Sequence, residues 1–206
     1  MASNRRSICS YLMILLAVAI VVPDAGTAEE PQKIDAKTAL IIIDVQEFYF
    51  PGGFQPLDAP EAASQNCKKL VEKFRGTEGL IVHVGHNVEN QGAFHDDVKP
   101  LEGEKIVIKD EVSAFNGTDL TAYLKEKGIE RVVICGMQTH MCVEGAVRAA
   151  YDLGFKCVVV GDACATKDLK YGDATINAAD VHNSTLSSVH KIYGTVVDTE
   201  IFLKTY

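Results

Sequence analysis

Apolar residues along this chain fall into short continuous runs, which are separated by longer stretches with helical spacing. Short runs rich in Val and Ile are typical of strands that are covered on both faces of a sheet. The pattern predicts strands at residues 39–43, 80–84, 105–108, 131–135, 157–160 and 195–197.

Between these strands the spacing of apolar residues predicts helices at residues 60–74, 118–127, 141–153 and about 173–190. Two of the helices are followed by Gly128 and Gly154, and glycine is the residue type that most often follows a helix C-terminus. Strands that alternate with helices indicate parallel βαβ units. The predicted fold class is therefore α/β: a doubly wound, mostly parallel sheet of about six strands with helices on both faces.

The first residues have the features of an export signal. Arg5 and Arg6 precede an apolar run at 11–22, and the small residues at 26–28 follow it. This run is shorter than the roughly 20 apolar residues that a bilayer-spanning helix needs. We predict a cleavable signal peptide at 1–28, one domain at 29–206, and a secreted or periplasmic location. An uncleaved N-terminal anchor is the alternative.

Composition narrows the class of partner. Hydrophobic residues make up 47% of the chain and charged residues 23%, as in a folded globular protein. The formal net charge of −8 and the absence of a lysine run argue against nucleic acid and anionic lipid. We expect a small-molecule substrate, no nucleic-acid partner and no membrane partner after signal cleavage.

Cysteine usage also bears on function. Removal of Cys9 with the signal peptide leaves an odd number of cysteines, so at least one thiol stays unpaired within the chain. Cys135 and Cys157 lie inside apolar runs and are most simply core thiols. No CxxC pair appears, which gives a structural zinc site little support.

Three residues of reactive type come at or just after the carboxyl ends of predicted strands. Asp44 follows the first strand, Lys109 follows the third, and Cys142 follows the fourth strand after a short loop. Ligands of open parallel sheets bind at this edge, so we expect the three side chains to meet. Each also has a structural explanation: a turn-capping Asp, a solvated Lys and a core Cys.

The residues before Cys142 predict how its thiol is activated. Thr139 fits a helix N-cap, which would place Cys142 at the third helical position. Unpaired N–H groups and the positive end of the helix dipole lower a thiol pKa from about 8.5, and Lys109 would act in the same direction. The same N–H groups could hold an oxyanion.

Longer stretches of the chain, from residue 39 to about 197, resemble the isochorismatase-like hydrolase superfamily, which includes nicotinamidases and related amidases. Each stretch is weakly specific alone, whereas their order and content together are specific. The matching stretches are residues 39–48, 51–53, Lys109 with 113–115, 117–120, 133–139, 142–143, 148–150 and 162–165.

The resemblance implies a division of labour among the three residues. Asp44 would be the general base that takes the Cys142 proton, and Lys109 would orient the pair and stabilise charge. Cys142 would attack the substrate carbonyl and form a thioester that water hydrolyses. The family's cis peptide bond maps to Met137–Gln138 and would aim the Gln138 N–H at the oxyanion, beside the N–H of Cys142.

The resemblance is incomplete where nicotinamidases bind a metal. Their Asp-x-His run has no counterpart with an acid at the expected spacing in residues 83–90, so we expect no metal and no other cofactor. His86 is predicted to line the pocket, since it comes just past a strand end. Substrate-binding residues are predicted to be Gln46, Phe48, Phe50, His86 and Phe115, with Phe54 as a further wall residue.

Three functions remain open from the sequence. The first is a cysteine hydrolase that cleaves a C–N, amide-type bond of a small molecule, as an isochorismatase-family amidase. The second is hydrolysis of a vinyl ether, as in isochorismate cleavage, which would tolerate loss of the thiol. The third is a non-enzymatic binding protein that retains the fold. Relatives are commonly oligomers, so the resemblance also implies a homo-oligomer.

Overall fold

A computed structural model describes residues 33–90 and 92–206. The strands in these residues are β1 (Thr38–Ile43), β2 (Leu80–His86), β3 (Lys105–Lys109), β4 (Arg131–Met137), β5 (Lys156–Ala165), β6 (Leu169–Tyr171), β7 (Ala174–Ile176) and β8 (Thr195–Val197).

The central sheet contains six strands in the order β3-β2-β1-β4-β5-β8, and every neighbouring pair is parallel. The predicted α/β fold class and the six predicted strands are therefore confirmed. The chain proceeds outward from β1 through β2 to β3 and then crosses to β4 on the other side of β1. This reversal opens a crevice at the carboxyl ends of β1 and β4, where ligands of such sheets bind.

Every residue of β1 is apolar or small, so neither face of this strand favours contact with water. Helices cover both faces of the sheet and bury the whole strand. The helices are α1 (Pro60–Arg75), α2 (Leu120–Glu126), α3 (Glu144–Asp152), α4 (Ala178–Val189) and α5 (Thr199–Thr205). On one face α1 and α5 pack against alternate strand residues, and this core includes Leu40, Ile42, Leu70, Phe74 and Phe202. On the other face α2, α3 and α4 pack against the intervening residues, and this core includes Ile41, Ile43, Leu124, Val147 and Val189.

The structure corrects two predicted helix starts. The helix predicted from about residue 173 begins at Ala178, because β6 and β7 form an antiparallel hairpin just before it. The Asn177 side chain accepts a hydrogen bond from the Asp180 N–H and so caps α4. The helix predicted from residue 141 begins as α3 at Glu144, since Thr139–Val143 form a π-helical turn. The hairpin and α5 were not predicted.

Other predictions fall partly outside the described residues. The predicted signal peptide at 1–28 lies outside them, so that segment and export of the protein stay predictions. Within the described residues, no helix combines the length and apolar character needed to span a bilayer. The five described cysteines, Cys67, Cys135, Cys142, Cys157 and Cys164, are all free thiols.

A partly buried charge network joins β2 and the end of α1 to the loop before β3. Glu104 accepts two hydrogen bonds from Arg75, at 2.7 and 2.9 Å, and its Oε2 lies 2.8 Å from Nε2 of His83. Burial alone would raise the pKa of Glu104, but hydrogen bonds from Arg75, the Leu101 N–H and His83 outweigh it and lower the pKa to about 2. Glu104 is therefore a stabilising carboxylate and not a candidate acid.

We predict that Glu104→Gln destabilises the fold at neutral pH by about 1–3 kcal/mol, because it removes the negative charge to which Arg75 and His83 are bound. The pKa of Glu104 lies below its ordinary value of 4.5, so its contribution is full above that pH and is lost as the pH falls towards about 2. The gap in unfolding free energy between wild type and variant should close over the same range. Urea unfolding at several pH values measures it.

Glu200→Gln is the matched control, because Glu200 pairs with Lys204 on an exposed helix surface. Its effect should stay below about 0.5 kcal/mol at every pH. A difference in unfolding free energy between wild type and Glu104→Gln that does not change with pH would contradict the role of Glu104 as a stabilising carboxylate.

Candidate active site

Asp44, Lys109 and Cys142 meet at the carboxyl edge of the sheet, although they are far apart in sequence. Nζ of Lys109 lies 2.8 Å from Oδ2 of Asp44 and 3.3 Å from Sγ of Cys142. The side chains of Asp44 and Lys109 are completely buried, and Cys142 is 3% exposed. The convergence predicted from the strand ends is therefore present in the structure.

The local backbone brings these side chains together. Asp44 directly follows β1 and has φ of 48°, in the left-handed region, so the chain turns sharply as it leaves the strand. Gly136 in β4 lies against Ile43, the residue before Asp44. A Cβ at position 136 would be 2.0 Å from the carbonyl oxygen of Ile43. Only glycine allows this close approach, which brings the nucleophile's strand against the strand that carries Asp44.

Cys142 is held in the π-helical turn and not in a regular first α-helical turn. The Gln138 carbonyl accepts hydrogen bonds from the N–H groups of Met141 (3.0 Å) and Val143 (3.2 Å). The predicted N-cap at Thr139 is wrong: Gln138 is the residue before the turn, and Oγ1 of Thr139 lies 2.9 Å from Nδ1 of His182. Cys142 is therefore the fourth residue of a wider turn.

The expected lowering of the thiol pKa is also wrong. Burial and the negative charge of Asp44 raise the pKa of Cys142 to about 12, against the opposing effect of Lys109. The sequence could not show how deeply the sulfur is buried, nor that the charge of Asp44 acts on it against that of Lys109. Burial and the carboxylate therefore favour the protonated form of the thiol in the site without substrate.

Asp44 is suited to remove that proton. Burial raises the pKa of its carboxyl group, while the charge of Lys109 and hydrogen bonding with Lys109 and Cys142 oppose the increase. Within the described part of the chain, neither carboxyl oxygen has a well-oriented hydrogen-bond partner, despite the short distance to Nζ of Lys109. A buried carboxylate with a raised pKa and an available lone pair is a stronger base than an exposed one.

Cys142 lines a cavity of about 230 Å³, and Asp44 and Lys109 lie buried behind its sulfur. Predicted site residues that line it are Phe48, Phe54, His86, Gln138 and Cys142, and the rings of Phe48 and Phe54 stack with their centroids 4.9 Å apart. Further lining residues, which the sequence did not single out, are Tyr49, Gln55, Val88, Val112 and Met141.

Three residues predicted to bind substrate lie behind this wall. The Gln46 side chain is buried and makes all its hydrogen bonds to backbone groups of His86 and Gly92. Phe50 stacks on His95, and Phe115 packs towards Phe155. These contacts give the three residues supporting positions around the cavity, and their contact with substrate stays a prediction.

The Met137–Gln138 peptide bond is cis, as the resemblance implies. The Gln138 side chain is 1% exposed and lines the cavity. Its Nε2 donates a hydrogen bond to Oη of Tyr49 at 3.4 Å. Its Oε1 is buried and has no hydrogen-bond partner among the described residues, so a residue of the cavity wall carries an unsatisfied acceptor.

Three histidines lie in or near the segment where nicotinamidases bind a metal, and each contacts a different residue. His83 faces Glu104, His86 faces Lys109, and His95 stacks on Phe50. In the part of the chain that the structure describes, no three His, Cys, Asp or Glu side chains are grouped so that they could hold a metal ion.

Comparison with known proteins agrees with the fold. The family model of the Isochorismatase domain matches residues 38–199, most of the chain. The chain belongs to the isochorismatase family. The matched residues contain all six strands of the central sheet, helices α1 to α4, the residues Asp44, Lys109 and Cys142, and the lining of the cavity; of α5 they include only Thr199.

Relatives of this isochorismatase-family chain extend over most of its length. The uncharacterized isochorismatase family protein YddQ of Bacillus subtilis is 40% identical over 178 residues, which are 81% of this chain and 99% of YddQ. The crystal structure of an isochorismatase from Pseudomonas putida is 32% identical, covers 82% of this chain and 91% of that chain, and gives a TM-score of 0.78. Ureidoacrylate amidohydrolase RutB of Acinetobacter baylyi is 26% identical over 83% of this chain and 68% of RutB.

We predict that Asp44→Asn makes Cys142 more reactive to an alkylating reagent at neutral pH. The change removes the negative charge that raises the thiol pKa and leaves the charge of Lys109, which lowers it. The rate of iodoacetamide labelling, resolved by peptide mass spectrometry, measures the effect. It should rise by about tenfold or more, since one pKa unit changes the thiolate fraction tenfold.

Cys157 in the same sample is an internal control, because burial alone raises its pKa and no carboxylate contributes. Its labelling should be equal in wild type and Asp44→Asn. Slower labelling of Cys142 in the variant would show that the carboxylate activates the resting thiol and would overturn this account of the site.

Proposed function

We propose that this protein is a cysteine amidase that hydrolyses a C–N bond of a small neutral amide or ureide through a thioester on Cys142. The observation that carries the proposal is the contact of one buried ammonium group, Lys109 Nζ, with both the Asp44 carboxylate and the thiol of Cys142, which lines a small cavity. A nucleophile, a base within reach of it and a group that orients both are the parts that covalent catalysis requires.

In the first half-reaction, Asp44 takes the proton of the Cys142 thiol as the sulfur attacks the substrate carbonyl carbon. The carbonyl oxygen becomes an oxyanion, and the positive charge of Lys109 then faces a neutral acid and an anionic adduct. Asp44 returns the proton to the leaving nitrogen as the C–N bond breaks, and an acyl thioester remains on Cys142. Ammonia or an amine departs.

In the second half-reaction, water attacks the thioester carbon and Asp44 takes one of its protons. The C–S bond breaks, the carboxylic acid leaves, and the proton on Asp44 returns to the sulfur. The raised pKa of Asp44 serves both halves, because a base that alternately holds and releases a proton works best near the ambient pH.

The oxyanion needs hydrogen-bond donors beside the sulfur. We assign this role to the backbone N–H groups of Gln138 and Cys142. The cis bond at Met137–Gln138 and the two hydrogen bonds that the Gln138 carbonyl accepts define the peptide planes at this turn. Donors held by the backbone stabilise developing charge without having to reorganise.

The cavity wall favours a neutral substrate. The lining side chains are aromatic, aliphatic or uncharged polar ones, and among the described residues no Lys or Arg reaches the cavity surface. A substrate carboxylate would have to leave water without a cationic partner, which costs several kcal/mol. A volume of about 230 Å³ suits a molecule of few heavy atoms.

Hydrolysis of a vinyl ether is the competing function. The name of the P. putida neighbour, an isochorismatase, favours it. The name of RutB, an amidohydrolase, favours C–N cleavage. The free thiol within hydrogen-bond distance of Lys109 supports the amidase, because the vinyl-ether reaction needs an acid and no nucleophilic sulfur.

We predict that Cys142→Ala abolishes release of ammonia or amine from small amides, with kcat/KM reduced by at least about 10³-fold, because no acyl intermediate can form. A screen of neutral amides, ureides and lactams against wild type and the variant measures this. Wild type quenched during turnover should gain the mass of the acyl group on the peptide that contains Cys142.

Cys157→Ala is the matched control, since that thiol is also buried but lies outside the cavity. It should retain wild-type turnover. Full activity of Cys142→Ala on an isochorismate-type vinyl ether, with no amide hydrolysed by wild type, would establish the competing function instead.

We predict that a carboxylate on the substrate lowers kcat/KM by at least about tenfold relative to the matching neutral amide, because the wall offers it no cation. Val112→Lys places an ammonium at the half-exposed rim of the cavity and should narrow that difference. Steady-state kinetics on a pair of amides that differ in one carboxylate provide the test. A wild-type preference for the acidic amide would contradict a neutral substrate.

A further inference from the structure

His86 contacts the buried ammonium of Lys109, in addition to the contacts with Asp44 and Cys142 described above. Its Nδ1 lies 3.0 Å from Nζ. An ammonium group has three N–H donors and no acceptor. Lys109 Nζ thus forms an ion pair with Asp44 Oδ2 at 2.8 Å and hydrogen-bond contacts with Cys142 Sγ at 3.3 Å and His86 Nδ1 at 3.0 Å, so three acceptor groups surround it.

This contact fixes the tautomer of the His86 ring. Since Nζ can only donate, Nδ1 must offer its lone pair, and the ring proton is then on Nε2. A cationic ring would place an N–H against the ammonium at 3.0 Å. The ring therefore accepts at Nδ1 and donates at Nε2.

The backbone of His86 is held in place by one buried side chain. Oε1 of Gln46 accepts a hydrogen bond from the His86 N–H at 2.7 Å, and Nε2 of Gln46 donates to the His86 carbonyl at 3.1 Å. Nε2 of Gln46 also donates to the Gly92 carbonyl at 2.6 Å. With both of its backbone groups bonded to a residue that is itself buried, His86 has a defined position at the end of β2.

The ring lines the same cavity as the nucleophile. Gln138 is another polar residue of the cavity wall, and its buried Oε1 is an acceptor without a partner in the described chain. A donor on His86 and an acceptor on Gln138, set among aromatic and aliphatic side chains, match a compound with adjacent C=O and N–H groups. Primary amides, ureides and lactams have this pair.

We propose that His86 has two separable roles in this site: its Nδ1 positions Lys109 for the thiol, and its Nε2–H binds an oxygen of a neutral amide or ureide. The inference rests on the proposed function and adds to it the hydrogen-bonding pattern of the substrate. His86 acts on the reaction through Lys109 in the first role and touches the substrate in the second.

Two amide side chains separate the roles. In His86→Asn, the amide lies where Nδ1 was, so Oδ1 can still accept from Lys109 while the donor to substrate is lost. In His86→Gln, the amide extends to where Nε2 was, so a donor to substrate remains while Lys109 loses its third acceptor. We expect KM to rise about tenfold with kcat nearly unchanged for Asn, and kcat to fall about tenfold with KM nearly unchanged for Gln.

A second readout does not need turnover. Iodoacetamide labelling of Cys142 at mildly alkaline pH should be slower in His86→Gln, because a less stable ammonium stabilises the thiolate less, and should be unchanged in His86→Asn. Protection of Cys142 from labelling by an added small amide reports binding. It should weaken in His86→Asn and persist in His86→Gln.

His190→Asn and His190→Gln are the matched controls. Nδ1 of His190 accepts a hydrogen bond from the Val196 N–H at 3.1 Å, at the opposite edge of the sheet. Both controls should match wild type in labelling and kinetics. Equal losses of the same parameter in His86→Asn and His86→Gln, or wild-type values for both, would overturn the proposal.

The readouts also distinguish this inference from the proposed function. If wild type hydrolyses no amide, the proposed function fails, and the labelling and protection rates still decide the two roles of His86. If wild type is an active amidase but the two variants do not separate, only the roles of His86 are refuted.

Discussion

The buried ammonium of Lys109 is the interaction on which the site depends. A charge removed from water is tolerated only where each of its donors has a partner. Here the three partners are a carboxylate, a thiol and an imidazole nitrogen, each from a different segment of the chain. One charge therefore fixes the relative positions of a base, a nucleophile and a wall of the cavity. Without Lys109, Asp44 and Cys142 would be buried polar groups that lack the cation they share.

The sheet makes this arrangement possible. Lys109 is opposite His86 in the register of β2 and β3, and Asp44 emerges beside the end of β2, to which its N–H donates at Val84. Cys142 arrives from the other side of β1, because the chain crosses over to β4 there. Parallel strands end at one edge, so residues distant in sequence meet there. The apolar cores on both faces keep that edge rigid.

Much of this was predictable from sequence, for physical reasons. Buried parallel strands are continuous apolar runs, and their ends located Asp44, Lys109 and Cys142. The hairpin before α4 was missed because its strands are short and mostly exposed, so they leave no apolar run. Aromatic residues near the site were only partly assigned: Phe48 and Phe54 line the cavity, whereas Phe50 and Phe115 pack behind it. The position of an aromatic residue in the sequence does not show whether its side chain packs in a core or lines a pocket.

The thiol shows where reasoning from sequence ends. A cysteine near the start of a helix predicts a lowered pKa, and this holds when the sulfur is solvated and faces only the helix dipole. Burial depth, the wider π-helical turn and the opposing carboxylate are properties of the assembled fold. The contact of His86 with Lys109 is of the same kind, because no local pattern in residues 83–90 distinguishes it.

The neutral, enclosed state of Cys142 has a consequence for chemical durability. Peroxides and disulfides react with thiolates, and they react slowly with protonated sulfur. Burial and the neighbouring carboxylate, which raise the pKa of Cys142, therefore slow its oxidation. The same two features hold this thiol in a less reactive form without a disulfide partner to shield it.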